Sequence, residues 1–172
     1  MNALDNLKNR RSVRKYKDTM VPKEVIEQIM EAGLYAASGM NRQPVIMVAV
    51  TNKEMRDHMA KLNAQVMGMD KDPFYGAPAV IVVLADKSKF TSIYDGSLVM
   101  GNLMQAAYDL GVGSCWIHRA KEVFATEEGK AILKQLGIEG DYEGIGNCIL
   151  GYVDGEYPTA APRNDNRIFW IE

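Results

Sequence analysis

The sequence predicts one domain in which helices alternate with short, buried strands. Three observations carry that expectation. Four short apolar segments read as strands, and longer segments with apolar residues at helical spacing lie between them. The chain has 172 residues, the length of one domain, and 47% of them are hydrophobic, enough for a sizeable core. No repeat, low-complexity segment or composition shift marks an internal boundary, so residues 1–172 read as a single unit.

The elements follow in order. A short helix is expected over Ala3–Asn9. In the second helix Pro22 falls in the first turn, where its missing N–H does no harm. Val25, Ile26, Ile29, Met30, Ala36 and Ala37 then recur at helical spacing, which predicts a helix to about Ala37. Ser38-Gly39-Met40-Asn41 ends it, and Gln43-Pro44 turns the chain into Val45–Val50, an apolar strand expected to be buried on both faces. Thr51 and Glu54 have capping-box spacing and open a helix to about Val66. Met67–Gly76 is a loop of lid-like composition, and Ala79–Ala85 is a second buried strand.

Gly96–Leu110 carries one charge and is apolar nearly all round, which predicts a helix buried on all sides. Either a second chain covers its outer face or it is the central helix of a single-chain core. "GVGSCWIHR" reads as a strand leaving a glycine turn. Thr126–Leu136 is a helix with Thr126 as N-cap and Gly137 just past its end. "GNCILGYV" is a further strand. The tail closes on Ile168, Phe169, Trp170 and Ile171, too much apolar surface to leave free, so it is expected to dock on its own chain or a partner.

Composition excludes several classes. Cys115 and Cys148 form neither a disulfide framework nor a zinc pattern. The start of the chain lacks the apolar run of a signal peptide, and the longest uncharged stretches, Pro73–Ala85 and Gly96–Tyr108, fall short of a membrane span. A cytoplasmic protein is the expectation. A net charge of −2 argues against a general nucleic-acid binder. There is no GxxxxGK[ST] loop, HExxH or GxSxG elbow. "GVGSCW" begins like a dinucleotide fingerprint, but Trp116 stands where close helix packing requires the third glycine. Cys115 and His118 lie three apart on a strand, on opposite faces, so they make no thiol–imidazole pair. Cys115 reads as a structural core cysteine.

One local feature runs against the charge balance. Residues 8–17 hold six basic side chains and no acidic one. If the segment is extended, Arg10, Ser12 and Arg14 share one face, which sets two guanidinium forks and a hydroxyl around one anion. Charge alone equally describes a solvated basic run.

"NRRSVRKY", Asn9–Tyr16, resembles the opening R-R-S-x-R-x-[FY] signature of the FMN-dependent nitroreductase family. "AASGMNRQPVIMVAV" resembles that family's APSxxNxQPW segment and following strand. "DGSLVMGNLMQAAYDLGVGSCWI" is similar to its central helix running into a GxGxxW turn, and Arg167 sits where the family has a closing basic residue. Four blocks in the right order span residues 10 to 167. The resemblance implies an α+β fold, a central mixed or antiparallel sheet flanked by helices, in a homodimer with a domain-exchanged C-terminal arm. Two FMN sites would lie at the interface.

The resemblance also implies roles. Arg10, Ser12 and Arg167 would hold the phosphate and ribityl end of FMN. Arg14 would lie along the pyrimidine edge of the ring, where a fixed cation raises the flavin potential. Arg11 would contribute backbone contacts. Ser38, Gly39 and Asn41 would come from the partner chain and close over the ring or phosphate; Gln43 would either join them or simply fix the loop before Pro44. Gly113, Ser114, Cys115 and Trp116 would pass the other side of the ring, Trp116 having a rival role as a core aromatic. Asn63 would reach the pyrimidine edge. The activity implied is ping-pong oxidoreduction, with NADH or NADPH as donor and a flat conjugated small molecule, such as a nitroaromatic or quinone, as acceptor. No catalytic acid or base is required of the protein. A flavin-binding or redox-sensing protein with little turnover would use the same residues. Three positions depart from the pattern: Ala37 replaces a proline, Val45 an aromatic, and Asp165 a phosphate-side lysine.

Overall fold

Strands β1 (Val45–Val50), β2 (Ala79–Asp86), β3 (Gly113–Ile117) and β4 (Tyr142–Gly151) form one antiparallel sheet in the order β1-β2-β4-β3. The computed structural model describes residues 2–172. Helices α1 (Ala3–Asn9), α2 (Lys23–Leu34), α3 (Lys53–Met67), α4 (Ser92–Asp109), α5 (Ala120–Ala125) and α6 (Glu127–Gln135) complete the chain. This is the expected α+β architecture, an antiparallel sheet flanked by helices.

Alternation along β2 builds a core on each face of the sheet. Val80, Val82 and Leu84 pack with Met59 and Leu62 of α3, Val123 and Phe124 of α5, and Ile132 of α6. Ile81 and Val83 pack with Ile26 and Ile29 of α2 and with Val99, Met100 and Leu103 of α4. The central strands β2 and β4 are therefore deeply buried. β1 departs from expectation: Val45 to Val48 are only half-buried and Ala49 is exposed. It pairs with β2 alone, so its outer edge is open and its continuous apolar run overstates its depth.

Helix ends follow local chemistry. α2 stops at Leu34, short of Ala37; the Tyr35 N–H closes its last turn on the Ala32 carbonyl at 3.3 Å and the Ala36 N–H on the Gly33 carbonyl at 3.1 Å. Asn52, not Thr51, caps α3: its side chain accepts from the Met55 N–H at 2.9 Å. Thr126 caps α6 as expected, accepting from the Gly129 N–H at 3.0 Å. The six-residue α5 was not foreseen, since so short an element shows little periodicity. β4 begins at Tyr142, before the expected Gly146, and ends at Gly151.

Met67–Gly76 is pinned and does not have the character of a free lid. The Asp72 carboxylate accepts from the N–H groups of Phe74 and Gly76, both at 2.8 Å, and from the buried Arg56 guanidinium at 2.6 Å. Phe74 is wholly buried and anchors the loop in the core.

Two apolar surfaces lie open. The outer face of α4 leaves Ile93, Tyr94 and Leu98 exposed, so within one chain that helix is not covered all round. Every residue from 158 to 172 is exposed, and Trp170 keeps 81% of its surface. The tail does not dock on its own chain. Among the described residues no helix is long and apolar enough to cross a membrane, and no cluster of side chains is arranged to hold a metal ion.

Candidate functional site

The basic segment runs along the free edge of β3. The Val13 N–H donates to the Ser114 carbonyl at 2.9 Å, and Ser12 and Ser114 form an isolated parallel bridge. Gly113 permits this approach, because a Cβ there would stand 3.0 Å from Val13 Cγ2 and 3.1 Å from the Gly151 carbonyl oxygen. Val13 is 1% exposed and Tyr16 is buried too, which fixes the segment to the core at two points. Further along, Lys17 N–H donates to the Tyr152 carbonyl at 2.9 Å, and Asp154 N–H to the Lys15 carbonyl at 3.1 Å. The Tyr16 hydroxyl donates to the Val13 carbonyl at 2.7 Å.

Along this path Arg10 and Ser12 are half-buried and Arg14 is exposed. Buried positions fall at Val13 and Tyr16, three apart, so simple alternation breaks. Burial pushes the Cys148 thiol up to about 12, with Cys115 adding to the rise and the Arg10 charge opposing it. Arg14 is exposed, its guanidinium carbon 6.0 Å from the Tyr75 ring centroid. Its charge opposes the burial that raises the Tyr16 phenol.

What gathers around β3 is a set of polar atoms without partners. Arg10 Nη1, Arg11 Nε and Ser114 Oγ are buried and make no hydrogen bond, and neither does Trp116 Nε1. Buried donors left unpaired cost roughly 1–3 kcal/mol each. Two cationic N–H donors and a hydroxyl beside a single β-bridge suit an oxyanion such as a phosphate, which would satisfy them together. The donor set therefore fits the phosphate end of a nucleotide-like cofactor.

Trp116 serves the core in this chain. It is half-buried, packed in the cluster that includes Met100 and Ile145, and its ring lies 5.8 Å from that of His118. Cys115 is buried in the cluster on the opposite face, so it and His118 are indeed separated by the sheet. Asn63 is 1% exposed; its carbonyl oxygen accepts from Asn147 Nδ2 at 3.2 Å, and its Nδ2 donates to Met67 Sδ at 3.3 Å. Its place on the buried face of α3 spends its amide inside the core.

Ser38, Gly39 and Asn41 lie in a tight loop with a 3-10 turn at Gly39–Asn41. Met40, Asn41 and Gln43 all have positive φ, at 55°, 53° and 49°. Non-glycine residues hold such angles only where surroundings enforce them. Here Asp95, 4% exposed in the first turn of α4, accepts from the Gly39 N–H at 2.9 Å and from the Thr91 hydroxyl at 2.8 Å. A Cβ on Gly39 would stand 2.6 Å from Thr91 Oγ1, so a larger residue would displace the clamp. Ser38 Oγ accepts from Gln43 N–H at 3.1 Å, and Asn41 Oδ1 from Gln43 Nε2 at 2.9 Å. Gln43 thus fixes the loop before Pro44. The cavity behind it, about 100 Å³ and lined by Ser38, Pro44, Met47 and Asp95, is too small for a three-ring ligand.

Arg167 lies in the exposed tail and makes no hydrogen bond or ion pair with the segment at β3 among the described residues. Sequence reasoning missed Asp95 and Tyr157. Asp95 had a signal, a lone carboxylate at the mouth of an apolar helix. Tyr157, between Gly155 and Pro158, had none; its contacts are all made with residues distant in the chain.

Comparison with known proteins bears on this arrangement. The sequence model of the Nitroreductase family matches residues 7–152. A Methanothermobacter thermautotrophicus protein, provisionally named as an NADH dehydrogenase/NAD(P)H nitroreductase, is 34% identical over 120 residues; the match covers 67% of this chain and 60% of that protein. Two FMN-bound nitroreductase structures superpose over the full length of both chains. That from Bacteroides fragilis has a TM-score of 0.91 at 26% identity, and that from Desulfitobacterium hafniense 0.87 at 29%.

Proposed function

The chain belongs to the nitroreductase family, and from that premise we propose that it is an FMN-dependent NAD(P)H oxidoreductase acting as a homodimer. The observation that carries this reading is the group of unpaired buried donors on Arg10, Arg11 and Ser114 at the edge of β3. Those atoms would hold the phosphate, with Ser12 bridged beside them. Arg14, unburied and with no carboxylate partner among the described residues, would face the pyrimidine edge, where its charge favours the reduced, anionic ring. Gly113 to Trp116 would offer backbone beside the ring.

When bound, FMN supplies the two-electron chemistry, accepting a hydride from NAD(P)H and returning electrons to a flat conjugated acceptor. The protein binds, orients and excludes water; no side chain here needs to move a proton. The dimer is supported by the bare outer face of α4, the open edge of β1 and the exposed apolar tail. Ser38, Gly39, Asn41 and Arg167, which do not meet the β3 cluster in one chain, would be brought to it across the interface.

A visible spectrum of the purified protein tests the reading. Flavin bands near ~450 nm that bleach anaerobically with NAD(P)H are expected. A colourless protein that also refuses added FMN would sink the proposal, and tight FMN with negligible NAD(P)H oxidation would indicate a flavin-binding or sensing role instead. Arg14→Ala should lower FMN affinity or flavin potential; if both stay unchanged, Arg14 does not face the ring.

A further inference from the structure

The segment that carries the unpaired donors belongs to neither a helix nor a strand at Arg10 and Arg11. Something else must hold it. The Arg11 N–H donates to the Tyr157 hydroxyl oxygen at 2.7 Å, and the same hydroxyl donates to the Arg11 carbonyl at 3.2 Å. One phenol thus takes both backbone polar groups of one residue. Its ring is seated against Tyr108 of α4, centroids 5.2 Å apart, so the hydroxyl is aimed by packing. Burial raises the Tyr157 phenol above its ordinary value, which keeps the donating proton in place.

We infer that Tyr157 is a positioning residue for the anion site: by clasping the Arg11 backbone it sets Arg10, Arg11 and Ser12 against Ser114, and thereby fixes where a phosphate can sit. The inference rests on the reading of that segment as a flavin-phosphate site. Tyr157 does not touch the ligand. It is also the last residue before the fully exposed stretch 158–172, so the root of the tail and the anion segment are joined at one side chain. The same join continues in the pairing of Lys15 and Lys17 with Tyr152 and Asp154.

The test is titration of the flavin-free protein with FMN and with riboflavin, which lacks the phosphate. Tyr157→Phe keeps the ring on Tyr108 and removes both hydrogen bonds. It should weaken FMN binding about tenfold, the loss expected when a buried hydrogen-bonded group goes unpaired, and leave riboflavin binding within about twofold. Equal loss for both ligands, or no loss for FMN, overturns the positioning role. If the unaltered protein binds FMN no better than riboflavin, the phosphate-site reading itself fails, whatever the variant does. Should the variant not fold, hydrogen exchange on the unaltered, flavin-free protein decides. The Arg11 amide should exchange as slowly as amides of β3 despite lying outside regular structure, and fast exchange overturns the clasp.

Discussion

Two short segments bear most of the candidate site, and they are built on opposite plans. Arg10–Lys17 is held by its backbone: Ser114, Tyr152, Asp154 and Tyr157 are its hydrogen-bond partners farther along the chain. Its charged side chains are left over, some of them buried without partners. Ser38–Gln43 is the reverse. Its side chains bond to one another, its backbone is bent through three left-handed non-glycine residues, and one buried carboxylate holds it. The first segment stores binding capacity in side chains. The second stores shape, at a cost in backbone strain that Asp95 offsets.

That difference predicts different failures. The largest effect on the folded protein alone should come from Asp95→Ala. It leaves the Gly39 N–H and Thr91 hydroxyl without their acceptor, which should cost about 2–3 kcal/mol in urea unfolding even with no flavin present. An unchanged midpoint would mean that the loop holds its strain without the clamp. Arg10→Met should do the opposite. FMN affinity should fall by roughly tenfold, since a charge-assisted contact is lost, while flavin-free stability holds or rises, because a buried donor without a partner is removed. A large loss of flavin-free stability would show that Arg10 is structural, and the contrast between the segments would collapse.

The smallest effect should come from Asp154→Asn, at the far end of the basic segment. The Lys15 hydrogen bond and charge hold the Asp154 carboxyl below its ordinary value. The pair's contribution is therefore present above the usual carboxylate range and is lost as pH falls through the lowered value. The variant should match the unaltered protein near about pH 2 and trail it slightly near about pH 7, in urea midpoints. A gap that widens toward acid would reverse the sign and refute the pairing.

Much of this was legible in the residues. Apolar runs located β1 and β2, and capping residues located α6, with nearly their observed ends, because each signal is local in the chain. Thr126 named its own cap because the capping bond spans three residues. The basic segment stood out through charge. Depth was harder to read. β1 and β2 have the same apolar composition, yet only β2 is buried on both faces, since sheet order is a property of distant pairing. Asn63 looked available in sequence and is sealed against Asn147, a partner 84 residues away.

The sequence alone determined the local elements, the kinds of donor the site would contain and the apolar surface that seeks a cover. These follow from period, composition and short-range hydrogen bonding. Only the tertiary structure decided that Arg10 is half-buried while Arg14 is exposed, that the lid-like loop is nailed down by Asp72 and Phe74, and that Tyr157 holds the basic segment and Asp95 the Ser38–Gln43 loop. The reason is physical. Each of those outcomes depends on a contact between residues far apart in the chain, and such a contact leaves no trace in the spacing of either one.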